Sequence, residues 1–534
     1  MLRSHRPLII GRHGAVASNH PMATLAGLDV LRAGGNAVDA TIAVAFTIGV
    51  VEPHMSGIGG DGFYHLYDAP KNSRLVINAS GAAPLASTAE AFVDGIPDSG
   101  PRSVSTPGMV GGLAALHAGR GRLPWSDLVS FAISAARDGF GVTRNYQTYA
   151  AQQANRLRAH PAAAATYLGL DGMTPSIGHI IRQPRLAATL EAIATDGAEI
   201  FYRGTIAHQI AAAVAGQGGY LAERDFQAFR PEKQDPIRIS YRDFEIFQTP
   251  PNTTGFVLLQ MLKLLERVDV ASHERLSDIL IHLMVEAKKI AFEDRERFGC
   301  DPLTQSAPLD RLLSPEYADQ SKEKIDPDHA ARSSLGGVSE DTTYFCVVDD
   351  KGSAVSAIQS INSAFGSGFV AGETGVLLNN RMTYWHLSPG HPNKLVPGRR
   401  VRHTMNAPMV FRDGRLWAVL GTPGGDNQVQ VNLQVLTAMI DFGLDPQQAV
   451  EAPRWSSRQP GQDANYPHLG EESLTMEAGF PSETYMGLAR RGHILEHLPA
   501  LEGPCSVSVI RVDEASGSRI AGSDPRRDGW ALAY

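Results

Sequence analysis

Asp341-Thr342-Thr343-Tyr344-Phe345-Cys346-Val347-Val348-Asp349 is the stretch on which the architecture turns. After one acidic residue and two threonines it reads as a buried strand. Alternation puts Tyr344, Cys346 and Val348 on one face and Phe345 and Val347 on the other. A strand apolar on both faces belongs between two layers. Asp349-Asp350-Lys351-Gly352 turns the chain back into Ala354-Val355-Ser356-Ala357-Ile358, which predicts a hairpin. Taken alone, Thr342 and Thr343 are ordinary strand-entry residues.

The flanking sequence supplies the other layers. Pro21 opens a helix carrying Met22, Leu25, Leu28 and Leu31, which Gly34-Gly35 ends. Asn36 caps a second helix that is apolar nearly all round, and so buried. The loop Ser56-Gly57-Ile58-Gly59-Gly60-Asp61-Gly62 lacks the Lys-Ser/Thr of a phosphate loop. It also follows a helix and precedes a strand, the wrong order for a dinucleotide fingerprint, so close backbone packing is the better reading. Phe63–Tyr67 with Leu75–Asn78, and Met409–Phe411 with Leu416–Leu420, read as hairpins. Tyr241–Phe247 reads as one strand, and a long amphipathic helix runs around Ile279–Arg295. Gly421-Thr422-Pro423-Gly424-Gly425-Asp426 leads into a helix with Val431, Val435, Leu436 and Met439 on one face. The polar stretch from 326 to 340 reads as exposed and mobile.

Composition excludes several classes. The 534 residues are 43% hydrophobic and 19% charged, ample for a large core. A formal net charge of -8 with no basic run argues against nucleic acid as a partner. The apolar runs are too short to span a bilayer. No export signal is legible in the first ten residues, so a cytoplasmic location is expected. Cys300, Cys346 and Cys505 make no metal or redox spacing, and His13, His54, His65 and His403 are scattered, so no metal and no cofactor is expected.

Six further motifs, in order, carry a resemblance: Gly34-Gly35-Asn36-Ala37-Val38-Asp39-Ala40, Gly57-Ile58-Gly59-Gly60-Asp61-Gly62-Phe63, Ser105-Thr106-Pro107-Gly108, Ala371–Asn380, Pro423-Gly424-Gly425 and Ser523-Asp524-Pro525-Arg526. Together they resemble the γ-glutamyltranspeptidase family of N-terminal-nucleophile hydrolases over nearly the whole chain. The resemblance implies an α/β fold of four layers, an αββα sandwich. It also implies self-cleavage between Asp341 and Thr342 into segments 1–341 and 342–534, which stay together as an αβ heterodimer, with a dimer of these also open. Thr342 then matches the nucleophile. A hydroxyl needs a base beside it, and a freed α-amino group, with a pKa of about 7.7–8.0, can serve. By matched position Gly424 and Gly425 form the oxyanion hole and Ser360 supports the nucleophile. Asn362 and Asn380 lie near the pocket.

The departures from the family pattern bear on the substrate. Glutamyl-processing members hold the α-carboxylate with an arginine, and the matched residue here is Ser80. They hold the α-ammonium with an acid, and the matched residue here is Tyr384. Neither replacement can make the charge-assisted bonds. Arg381 stands where glutamine is common, and Arg402-His403-Thr404 replaces a hydroxyl-rich run. Added cations and a missing acid suggest a small carboxylate substrate without an amine, as in the oxamate amidohydrolase branch. Alternatives are a γ-glutamyltransferase or glutathione hydrolase with a relocated clamp, and a non-cleaving scaffold.

Overall fold

The computed structural model describes residues 4–169, 171–332 and 342–534. Pro21 sits in the first turn of the helix Pro21–Arg32, where its missing N–H leaves no bond unmade. Asn36 accepts from the amides of Val38 and Asp39, and the Asp39 side chain accepts in return from the Asn36 amide. This box starts the helix Ala37–Val51, in which every residue is buried.

Two seven-stranded sheets follow from the alternating stretches. One runs, edge to edge, Ile9–Gly11, Arg519–Ser523, Ser508–Val512, Arg415–Gly421, Met409–Arg412, Phe244–Gln248 and Ile237–Tyr241. The other runs Trp530–Ala533, Ala15–Ser18, Thr343–Val348, Ala354–Ser360, Asp61–Asp68, Ser73–Ala79 and Glu232–Gln234. Each sheet takes strands from both sides of position 342.

Hydrophobic cores fill the layers, and a smaller cluster gathers Phe92, Met382, Tyr384 and Trp385. Tyr344, Cys346 and Val348 pack with Phe247, Met409, Phe411, Val419 and Ile510 between the sheets. Phe345 and Val347 point the other way, into a core with the helices Pro21–Arg32, Ala37–Val51, Met109–His117 and Trp125–Asp138. The outer face of the first sheet is covered by Gly255–Leu265, Asp278–Phe298 and Asn427–Ile440. The layers stack as the αββα sandwich that the resemblance implies, with the opening stretch buried on both faces as its alternation predicts.

One expected strand is two. Ile237–Tyr241 and Phe244–Gln248 pair antiparallel, and Arg242, with φ 52°, makes the turn between them. The run reads as continuous because the turn residues Arg242-Asp243 lack glycine, the usual marker of positive φ. The glycine-rich loop is indeed a close-packing device: a β-carbon on Gly60 would collide with the carbonyl oxygen of Ser360. Among the described residues no helix is long and apolar enough to cross a membrane.

Phe345 is fully buried between the central sheet and its helices. Phe345→Ala should lower stability by about 3–5 kcal/mol, seen as a fall in the urea midpoint at unchanged slope.

Candidate active site

The site is a row of side chains at the end of the second sheet. Thr343 pairs with Gln359 across the antiparallel ladder, so the next step sets Thr342 opposite Ser360. Ser360 pairs in turn with Asp61. Gly62 pairs with Ala79, which sets Asp61 beside Ser80. Directly opposed residues share a face. Thr342, Ser360, Asp61 and Ser80 thus line one edge of the gap between the sheets, on the face that carries Tyr344 and Phe63.

Thr342 is 2% exposed. Its Oγ1 donates to Ser360 Oγ at 3.3 Å, and Ser360 Oγ accepts the Asn362 amide at 2.8 Å. The neighbouring Thr343 Oγ1 accepts from Asn19 Nδ2 at 3.3 Å. Asn362 holds a left-handed backbone, φ 82°, and donates through Nδ2 to the Asn380 carbonyl, Thr383 Oγ1 and Asn465 Oδ1. These bonds fix the turn that aims the Asn362 amide at Ser360.

Arg381 is buried against the same row. Its Nη1 donates to Asn362 Oδ1 at 3.0 Å, its Nε lies 3.4 Å from Asp61 Oδ2, and its guanidinium stacks 4.4 Å over the Tyr384 ring. Tyr384 and Thr404 share a hydroxyl contact of 3.1 Å. His403 Nε2 lies 3.7 Å from Asp61 Oδ2. Burial pushes the Asp61 carboxyl up to about 6, against the opposing pull of Arg381. Burial, then the charges of Arg381 and Arg400, hold His403 well below the usual histidine range, so it is neutral. Asp61 Oδ2 and both His403 ring nitrogens are buried without a hydrogen bond among the described residues. Such atoms are costly unless a partner arrives, which makes this corner suited to a polar guest.

Ser80 does not leave a hole where a cation is expected by resemblance. Its Oγ donates to Asn78 Oδ1 at 2.7 Å and accepts from Asn252 Nδ2 at 3.2 Å. Arg402 pairs with Glu296 at 3.0 Å, away from Asp61. Asn380 ties its segment to two others: its Oδ1 accepts the Ser363 amide, and its Nδ2 donates to Ser363 Oγ and the Asp98 carbonyl. Gly424 and Gly425 have φ of 113° and 51°, and a β-carbon on Gly424 would strike Cys505 Sγ. They follow the strand Arg415–Gly421, whose last residue packs under the Tyr344 ring two positions from Thr342. Asp341 lies outside the described residues.

Sequence reasoning missed Asp61, the acid beside Arg381. A charged residue amid glycines, at the mouth of an apolar strand, was the available signal. It also missed two clusters able to ligate a cation, His282 with Glu286 and His493, and Glu296 with His386 and His391.

The gamma-glutamyltranspeptidase family model matches residues 23–534. The chain belongs to this family. Among its relatives, the glutathione hydrolase-like YwrD proenzyme of Bacillus subtilis is 35% identical over 98% of this chain and 99% of that protein. The oxamate amidohydrolase proenzyme of Klebsiella pneumoniae is also 35% identical, over the same shares. A cephalosporin acylase from Bacillus halodurans superposes with a TM-score of 0.89 at 32% identity, covering 100% of this chain and 98% of that one. Like these family members, the protein is an N-terminal-nucleophile hydrolase of amide C–N bonds made as a proenzyme.

Ser360→Ala removes the hydroxyl between Thr342 and Asn362. Amide turnover should fall about tenfold, the worth of one hydrogen bond, in kcat rather than KM.

Proposed function

We propose that the protein cleaves itself before Thr342 and then hydrolyses the amide of a small carboxylate, oxamate being the best candidate. In the first step the Thr342 hydroxyl attacks the Asp341 carbonyl and the amide becomes an ester. Water splits the ester, which leaves Asp341 with a carboxyl group and Thr342 with a free amine. The segments 1–341 and 342–534 stay associated. The new amine then takes the proton from Thr342 Oγ1 as that oxygen attacks substrate. Ser360 and Asn362 hold the oxygen in place. The Gly424 and Gly425 amides stabilise the oxyanion; losing one such donor typically costs on the order of 3 kcal/mol. Ammonia leaves, and water releases oxalate from the oxalyl ester.

One observation carries the substrate choice. Arg381 lies buried beside the Thr342–Ser360–Asp61 row, while the two positions of the glutamyl clamp are Ser80 and Tyr384. Arg381 reaches the nucleophile through Asn362 and Ser360, which suits a short anion whose amide adjoins its carboxylate. Similarity to an oxamate amidohydrolase proenzyme supports the reading.

Asp61 favours a second reading. It supplies an acid that can meet an α-ammonium, so Arg381 and Asp61 together can clamp a γ-glutamyl group. The glutathione hydrolase-like relative is consistent with this. We rank it lower because the two charges already face each other at 3.4 Å.

Incubation with oxamate should release ammonia and oxalate, while a γ-glutamyl anilide turns over slowly; turnover of the anilide alone reverses the ranking. Thr342→Ala should run as one uncut band on a denaturing gel and show no turnover. A second uncut, active preparation would sink the whole scheme.

The pH dependence follows from Asp61. As pH falls through about 6 its carboxyl becomes neutral, and Arg381 loses its opposing charge. KM for an anionic substrate should therefore drop on the acid side of about 6 in the wild type. In Asp61→Asn it should be low and flat across that range.

A further inference from the structure

His282 and Glu286 lie one turn apart on the buried face of the helix Asp278–Phe298. Residues at this spacing are neighbours on the helix surface. His493, just after the helix Ser482–Arg490, meets them from the other side of position 342 in the sequence. His282 Nδ1 and His493 Nε2 are 2.9 Å apart, and one ligand atom from each of the three residues falls within 4.8 Å of the others.

We propose that His282, Glu286 and His493 bind one divalent transition-metal ion of the zinc class. His282 Nε2 is 2.8 Å from the Asp326 carbonyl, which can only accept. Nε2 therefore carries the hydrogen, and Nδ1 presents its lone pair toward His493. A ligand imidazole whose other N–H is anchored to a carbonyl is the usual arrangement around bound metals. Without an ion, the two facing nitrogens are joined by one hydrogen on His493 Nε2. With an ion, that hydrogen moves to His493 Nδ1, and both lone pairs face the metal with no net loss of a proton. Glu286 contributes the negative charge. Two imidazoles and a carboxylate leave a fourth position for water, the set favoured by zinc and unsuited to magnesium or calcium. Lys289 opposes the ion: its Nζ donates to Glu286 Oε1 at 2.8 Å. It also donates to the Ala331 carbonyl at 2.7 Å and lies 3.7 Å from Glu472, so it has other acceptors to keep.

The second cluster is unsuitable. Glu296 already pairs with Arg295 and Arg402, so a cation there meets two guanidinium charges.

The site also anchors the segment leading to residue 332. Asp326 bonds His282, Ala331 N donates to Glu286 Oε2 at 3.2 Å, and Ala330 N donates to the Arg491 carbonyl at 2.7 Å. Metal binding does not depend on cleavage. Its effect as a clamp between two fragments does rest on the cleavage proposed above.

The test is calorimetric titration of chelator-stripped, full-length protein with zinc chloride, in wild type, His493→Ala and Glu286→Gln. Expected are one tight ion per wild-type chain and at least about tenfold weaker binding in each variant. Thermal midpoints should rise with zinc in the wild type and in Thr342→Ala, which binds the ion equally, and not in His493→Ala or Glu286→Gln. Equal binding by wild type and both folded variants, or no wild-type site tighter than the background of surface histidines, overturns the proposal. If one variant does not fold, the other decides.

Discussion

The register between the strands Thr343–Val348 and Ala354–Ser360 governs the rest. It sets Thr342 against Ser360, and the next ladder sets Ser360 against Asp61. Side chains alternate with a period of two, so a slip by one residue sends all of them to the opposite face. The register is protected by bulk on both sides. Tyr344 and Cys346 are locked between the sheets, and Phe345 and Val347 are locked under the helices. A site built on such a strand inherits the rigidity of the core.

The charges at the corner add a second constraint. Arg381 and Asp61 are both essentially without solvent contact. A buried pair recovers its desolvation cost only when its remaining hydrogen-bonding atoms find partners. Asn362 answers part of this demand, and the Tyr384 ring face covers the guanidinium. Burial raises the Asp61 carboxyl to about 6, so a small change in its surroundings alters the net charge that a guest encounters.

The layers were largely legible in the sequence, because each depends on local periodicity. The two-sided strand at 343–348 and the capped helix at Ala37–Val51 were read directly from alternation and from Asn36. The hairpin at Arg242 was hidden because a non-glycine residue makes its turn. At the site, the residues on the first two strands of the row were accessible through the family motifs. Asp61 lies within a quoted motif, but its role arises only when a distant arginine packs against it. Arg402 shows the reverse: a cation next to site residues in sequence, yet committed to Glu296 in space. The clusters of His282 with His493 lay beyond reach for the same reason, being 211 residues apart.

Both sheets combine strands from before and after residue 342, hydrogen-bonded to one another within each sheet. A chain nicked at that point would be interlaced rather than merely docked. Neither piece could leave without unzipping hydrogen bonds across both sheets and opening the core between them. Partners cut from one parent molecule would therefore remain together for its lifetime, and mixing two populations would yield no hybrids short of complete denaturation.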